Sequence, residues 1–142
     1  MPLLDTNVVS ELMKAAPDNG VLAWIDRLPR AELFVASVTQ AELLYGVALL
    51  PSGRRRDEIA RAVNVVFADL FRERVLPFDS AAASAYADIG ANRRRAGRPI
   101  SAFDAAIAAI ARSRSAPLAT RNLSDFEGCG LDLIDPWKAK IG

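Results

Sequence analysis

The feature that most constrains this chain is a set of short apolar runs, each giving way to residues at helical spacing. The runs are Leu3-Leu4, Leu33 to Ala36, Val75 to Phe78, Pro117 to Thr120 and Leu131 to Ile134. Strands alternating with helices predict a parallel sheet covered on both faces, an α/β fold with about five strands. Pro77 has no backbone N–H to donate, which puts the third run at a sheet edge.

The segments between the runs read as helices. Val8, Val9, Leu12 and Met13 form a first apolar stripe, and Val21, Leu22, Trp24, Ile25 and Leu28 form a second that ends before Pro29. Thr39 and Glu42 have the spacing of a capping box, ahead of Leu43, Leu44, Val47 and Leu50. Pro51-Ser52-Gly53 stops that helix, and Ile59, Val63, Val66, Phe67 and Leu70 carry another. Two helices between consecutive strands exceed what a simple crossover needs, so Thr39 to Phe71 is expected to form a helical hairpin over one side of the sheet, with apolar surface for a partner. Asp79 caps the helix that runs to Gly97. Arg93 to Arg95 in its last turn suit either the helix dipole or a nucleic-acid backbone. Ser101 and Asp104 repeat the capping-box spacing before an alanine-rich helix from Ala105 to Ala111, whose small residues imply close packing against a neighbour.

With 142 residues, an apolar fraction of 51% and no long linker, residues 1–142 are expected to form one domain. No stretch is long and apolar enough to span a bilayer, and no basic, apolar leader precedes Asp5; the expected location is the cytoplasm, with no membrane partner. There is no histidine and only one cysteine, which excludes disulfides, structural zinc sites and Ser-His or Cys-His nucleophiles within the chain. Hydrolysis would have to rely on carboxylates, hydroxyls, Lys, Arg and a bound metal. The net charge of +1 offers no global attraction to nucleic acid, yet the arginines cluster, so a basic stripe beside an acidic crevice is compatible with it.

Asp5, Glu42, Asp104 and Asp125 each lie near a point where an apolar run meets a helical pattern. If the runs are parallel strands, these acids converge at the carboxyl edge of the sheet. Taken singly, each also fits helix capping or dipole compensation; Glu42 and Asp104 fit it best, and Asp5 least, because it ends a buried run. Taken together, carboxylates in one crevice call for a cation between them, and an all-oxygen set suits Mg²⁺ or Mn²⁺. Such a site could activate water against a phosphodiester. Two other chemistries fit poorly. A response-regulator phosphoacceptor needs an acidic pair at the first strand end and a late lysine, but Asp5 stands alone and no lysine lies between Lys14 and Lys138. A haloacid-dehalogenase-like phosphatase needs Asp-x-Asp, where this chain has Asp5-Thr6-Asn7.

Asp5-Thr6-Asn7, Thr39-Gln40-Ala41-Glu42-Leu43 with Gly46, Asp104 in its Ile- and Ala-rich helix, and Thr120-Arg121-Asn122 followed by Asp125-Phe126 together resemble the PIN-domain ribonucleases. Their order and spacing are similar to those of VapC toxins of type II toxin–antitoxin pairs. Leu76-Pro77-Phe78-Asp79 and Pro136-Trp137 look like the FitB-type members. The resemblance covers essentially the whole chain. It implies a three-layer α/β/α sandwich around a five-stranded parallel sheet and metal-dependent endoribonuclease activity, with an RNA substrate. It also implies homodimers and a small antitoxin that blocks the crevice and alone reaches operator DNA. Carried over residue by residue, Asp5 and Asp104 are direct metal ligands, Glu42 is a ligand or orients water, and Thr6 supports the site. At the fourth position Asn122 stands where relatives often have Asp, and Asp125 follows three residues later, so either completes the set.

Overall fold

A computed structural model describes residues 1–139 of the chain. Among these, five strands form one sheet: β1 (Leu3–Leu4), β2 (Phe34–Ala36), β3 (Val75–Leu76), β4 (Leu118–Ala119) and β5 (Leu133–Ile134). Six helices connect them: α1 (Thr6–Leu12), α2 (Asn19–Asp26), α3 (Ser37–Ala48), α4 (Arg54–Val65), α5 (Ser80–Arg95) and α6 (Ala102–Ser113). The strand order is β3-β2-β1-β4-β5 and every pairing is parallel. β3 lies at the edge, as Pro77 requires.

The strands are as short as two residues, but their side chains alternate between two separate cores. Leu3, Ala36 and Leu118 face one way, into a core built with α5, α6, Phe126 and Cys129. Leu4, Val35 and Ala119 face the other, against Val8 and Val9 of α1, Val21 of α2 and Phe71. The result is the expected three-layer α/β/α sandwich. The alanines of α6 pack as anticipated: Ala105, Ala108, Ala109 and Ala111 are buried, and the helix lies along α5. Cys129 is buried, and burial pushes its thiol pKa up.

The helix ends follow their local chemistry with one exception. Asp79 accepts a hydrogen bond from Ala82 N at 3.0 Å, and Ser101 Oγ accepts one from Asp104 N at 3.2 Å, capping α5 and α6. α5 closes where Gly97 adopts φ +72°, with Gly97 N and Arg98 N bonded back to the carbonyls of Arg94 and Arg93. The exception to its sequence signal is α3, which starts at Ser37 with Ala36 at its cap and, like α4 with Gly53 there, has no side-chain cap hydrogen bond. Thr39 and Glu42 are therefore not a capping box. The helix starts three residues earlier than that spacing predicts, and both side chains instead meet Thr6 at the start of α1.

The hairpin between β2 and β3 forms as expected from α3 and α4, but α4 already starts at Arg54. A wider π-helical turn, Val66–Leu70, then leads to the buried Phe71. Arg93 takes neither expected role. It is buried, and its guanidinium donates to the carbonyls of Arg98 at 2.7 Å, Asp125 at 3.0 Å and Glu127 at 2.7 Å, holding the loop after β4 against the end of α5.

Candidate active site

The strand order reverses about β1: the chain winds outward through β2 and β3 on one side, and returns to place β4 and β5 on the other. The chain leaves β1 for the face covered by α1 and leaves β4 for the opposite face, where Phe126 is buried, and crevices open at such switch points. A cleft of about 440 Å³ lies at this place, and Asp5, Thr6, Asn7, Glu42, Asp104 and Asn122 are among the residues lining it. Residues separated by more than a hundred positions meet because each directly follows a strand or opens a helix on this edge.

Asp5, first after β1, is the most constrained of the acids. One carboxylate oxygen accepts a hydrogen bond from Thr6 N at 2.8 Å and the other from the Thr120 hydroxyl at 2.7 Å. Only 5% of the residue is exposed. Burial raises its pKa from 3.8 to about 6; the hydrogen bonds from Thr120 and Thr6 oppose that rise, and the negative charges of Asp104 and Glu42 add to it.

Thr120 is itself fully used. Its oxygen accepts from Asn7 Nδ2 at 3.3 Å and from Asn122 N at 3.1 Å while its proton goes to Asp5. Across the cleft, the Thr6 hydroxyl donates to Glu42 Oε1 at 2.9 Å and lies 3.0 Å from the buried Thr39 hydroxyl. The Thr39–Glu42 spacing read as a cap is thus a tie between α3 and the start of α1. Asp104, in the first turn of α6, is half-exposed. Burial raises its pKa, Ser101 lowers it, and Asp125 raises it again.

The two candidates for the fourth position are placed differently. Asn122 lines the cleft, whereas Asp125 is exposed in the short 3₁₀ turn Leu123–Phe126 beyond it, near enough to Asp104 for its charge to be felt. Sequence reading gave no role in the site to Thr39, Thr120, Asn7 or Glu11. Thr120 and Asn7 stand beside the acids in the same short motifs, which is a usable signal. Nothing in the sequence marks Glu11, which is buried on the cleft wall and paired with Lys14 Nζ at 3.1 Å.

The candidate ligand side chains of Asp5, Glu42 and Asp104 all offer carboxylate oxygens, so the set suits a hard divalent cation rather than zinc or copper. The raised pKa of Asp5 marks unrelieved negative charge that such a cation would offset. Among the described residues, however, no three acidic, histidine or cysteine side chains are gathered closely enough to form a ready-made ion site. The Thr6 and Thr120 hydroxyls donate to Glu42 and Asp5 and set their orientation.

Fold and cleft together define a parallel α/β protein with an oxygen-lined acidic site at its topological switch point. The chain matches the PIN domain over residues 3–127 and belongs to the PIN-domain family. It is similar to the VapC ribonuclease Y4jK of Sinorhizobium fredii, 44% identical over 97% of this chain and 99% of that one. It is also similar to the toxin FitB of Neisseria gonorrhoeae, 37% identical over 96% and 99%. Among solved structures, FitAB bound to an IR36 DNA fragment superposes with a TM-score of 0.90 at 35% identity, covering 99% of each chain.

Proposed function

We propose that this protein is a metal-dependent endoribonuclease, the toxin of a toxin–antitoxin pair, acting on RNA phosphodiesters in the cytoplasm. The observation that carries the reading is the convergence of Asp5, Glu42 and Asp104, from three separate elements, on one cleft where the Asp5 pKa is raised to about 6. Similarity to a VapC ribonuclease and to the toxin FitB supports the RNA substrate and the toxin role.

Asp5, Asp104 and Glu42 would hold Mg²⁺, with Mn²⁺ able to substitute. Such an ion, when bound, lowers the pKa of water and neutralises charge on phosphoryl oxygens. The chain's own groups do the positioning. Thr6 N and Thr120 Oγ1 fix both oxygens of Asp5, and the Thr6 hydroxyl aims Glu42. Glu42 orients the attacking water and takes its proton, a role open to a carboxylate held within the cleft. Asn122, on the cleft wall, and Asp125, just beyond it, share the fourth position.

An antitoxin would block this cleft, and α3 and α4 offer the surface for it: Leu44, Tyr45, Leu49 and Val65 are exposed there. The toxin would form homodimers and meet operator DNA only through its antitoxin, in keeping with the DNA-bound FitAB neighbour. A second reading is favoured by one observation. The lack of a ready-made ion site among the described residues suits a non-catalytic PIN-fold partner in a DNA-binding regulatory complex.

Purified protein, free of any partner, given RNA and single-stranded DNA with Mg²⁺ or Mn²⁺, separates the possibilities. We expect RNA cleavage that EDTA, Asp5→Asn and Asp104→Asn each abolish. Cleavage without metal, or unaffected by both substitutions, sinks the mechanism. No cleavage of any substrate supports the non-catalytic partner, and cleavage of DNA alone indicates a DNA-directed nuclease.

A further inference from the structure

The cleft has a second, cationic half that the chemistry above does not use. Arg121 and Trp137 line it alongside the acids, and the Arg121 guanidinium lies over the Trp137 ring, 4.9 Å from its centre. An arginine in an acidic cleft would ordinarily be claimed by a carboxylate. Here, among the described residues, Arg121 forms no ion pair within 4.0 Å, although Lys14, the other cation on the cleft wall, is paired with Glu11.

With no carboxylate in ion-pair reach of it among the described residues, Arg121 keeps its fork of donors unspent while the aromatic face holds it in place. Trp137 is in turn seated against the core on the α1 and α2 side, and its backbone N–H donates to Asp135 Oδ1 at 2.9 Å.

The main chain of Arg121 is also tied to the acid site. Arg121 N donates to Asn7 Oδ1 at 3.3 Å, Asn7 Nδ2 donates to Thr120 Oγ1 at 3.3 Å, and Thr120 donates to Asp5 Oδ2 at 2.7 Å. One polar chain thus fixes the Arg121 backbone relative to the most buried carboxylate, and the Trp137 ring places its guanidinium. A planar donor fork suits phosphate oxygens, which it can grip two at a time.

We infer that Arg121, braced on Trp137, is a positioning residue that grips the backbone phosphate next to the one being cleaved, setting the register of a single-stranded RNA in the cleft. The inference rests on the ribonuclease reading and deepens it. Arg121 is exposed, so its replacement leaves the core intact.

The test uses the full chain with two RNA substrates: a dinucleoside monophosphate, whose one phosphodiester is the scissile one, and an oligonucleotide. Arg121→Gln should raise KM about tenfold more for the oligonucleotide than for the dinucleotide, the worth of one charge-assisted hydrogen bond. Equal loss on both substrates would put Arg121 at the transferring phosphoryl group and overturn the assignment, as would no change on either.

A binding readout does not depend on turnover. In an Asp104→Asn background, the salt dependence of fluorescence anisotropy with a labelled RNA should lose about 0.7 from its log–log slope on Arg121→Gln and recover it with Arg121→Lys. An unchanged slope refutes a phosphate contact. Trp137→Phe should keep the slope and weaken binding, whereas full-strength binding would remove the brace from the argument. Wild-type protein that cleaves no RNA would fail the underlying ribonuclease reading instead, so the two failures are distinguishable.

Discussion

Asp5→Asn isolates the electrostatic load on the cleft. The Asp5 pKa is about 6 in the folded protein against 3.8 for an unperturbed carboxyl. The folded state thus binds this proton more tightly than the unfolded chain. The stability this proton contributes is complete below pH 3.8 and is lost as pH rises through about 6. Each pKa unit corresponds to about 1.4 kcal/mol, so a shift of about two units removes about 3 kcal/mol by neutral pH. With Asp5 only 5% exposed, solvent screening does little to reduce this figure.

Asn cannot ionise, but it has one acceptor oxygen where Asp5 has two, so its NH2 group meets either Thr6 N or the Thr120 hydroxyl and one of these donors loses its acceptor. That mismatch costs about 1–2 kcal/mol at every pH and does not alter the pH dependence. Urea denaturation in EDTA from pH 4 to pH 7.5 should therefore show wild type losing about 2–3 kcal/mol more than Asp5→Asn over that range. Identical pH slopes for the two proteins would refute the claim that burial loads this carboxylate. Saturating Mg²⁺ should then restore wild type at pH 7.5 by about 3 kcal/mol, at a concentration near one hundred times its Kd, and should not restore the variant.

Asp104→Asn should abolish RNA cleavage while holding or raising the melting temperature of metal-free protein, because the cap depends on Asp104 N and Ser101 Oγ rather than on the carboxylate; a fall of several degrees by calorimetry would show the acid to be structural. Thr6→Val removes the hydrogen bond that aims Glu42 and should lower kcat by about ten- to a hundredfold with little change in KM, as read from steady-state cleavage. Arg93→Ala strips three loop carbonyls of a buried donor and should destabilise the fold by about 3 kcal/mol or more, with faster amide exchange from Leu123 to Gly130; native-like exchange there would disprove the bracing role.

The layering, the parallel sheet and the edge position of β3 were legible because they follow from local patterning: unbroken apolar runs, the missing N–H of Pro77 and the caps at Asp79 and Ser101. The start of α3 was misread because Thr39 and Glu42 have the spacing of a cap while serving a tertiary contact. Their hydroxyl and carboxylate go to Thr6, thirty-odd residues away, and Ala36 leaves no side-chain signal at the true helix start. Arg93 was opaque for the same reason: three adjacent arginines look alike until the loop after β4 closes over one of them. In the site, the acids could be read from their places at strand ends. Of the hydroxyls that aim them, Thr6 was named through the family resemblance, whereas Thr39 and Thr120 were not, because a threonine at a strand end gives the same pattern whether it meets solvent or a carboxylate.

The hydrogen bond from Thr120 to Asp5 joins residues 115 positions apart, and β1, the middle strand, is flanked on one side by β4 from near the other end of the chain. Thr120 is added roughly 6 to 23 s after Asp5 at synthesis rates of about 5–20 residues per second. Through that interval the central strand lacks a neighbour and the most buried carboxylate lacks one of its two hydrogen-bond donors. A nascent chain therefore carries Asp5 and Glu42 long before it has a working cleft, and the order of translation itself delays the activity until β4 and Thr120 have been made.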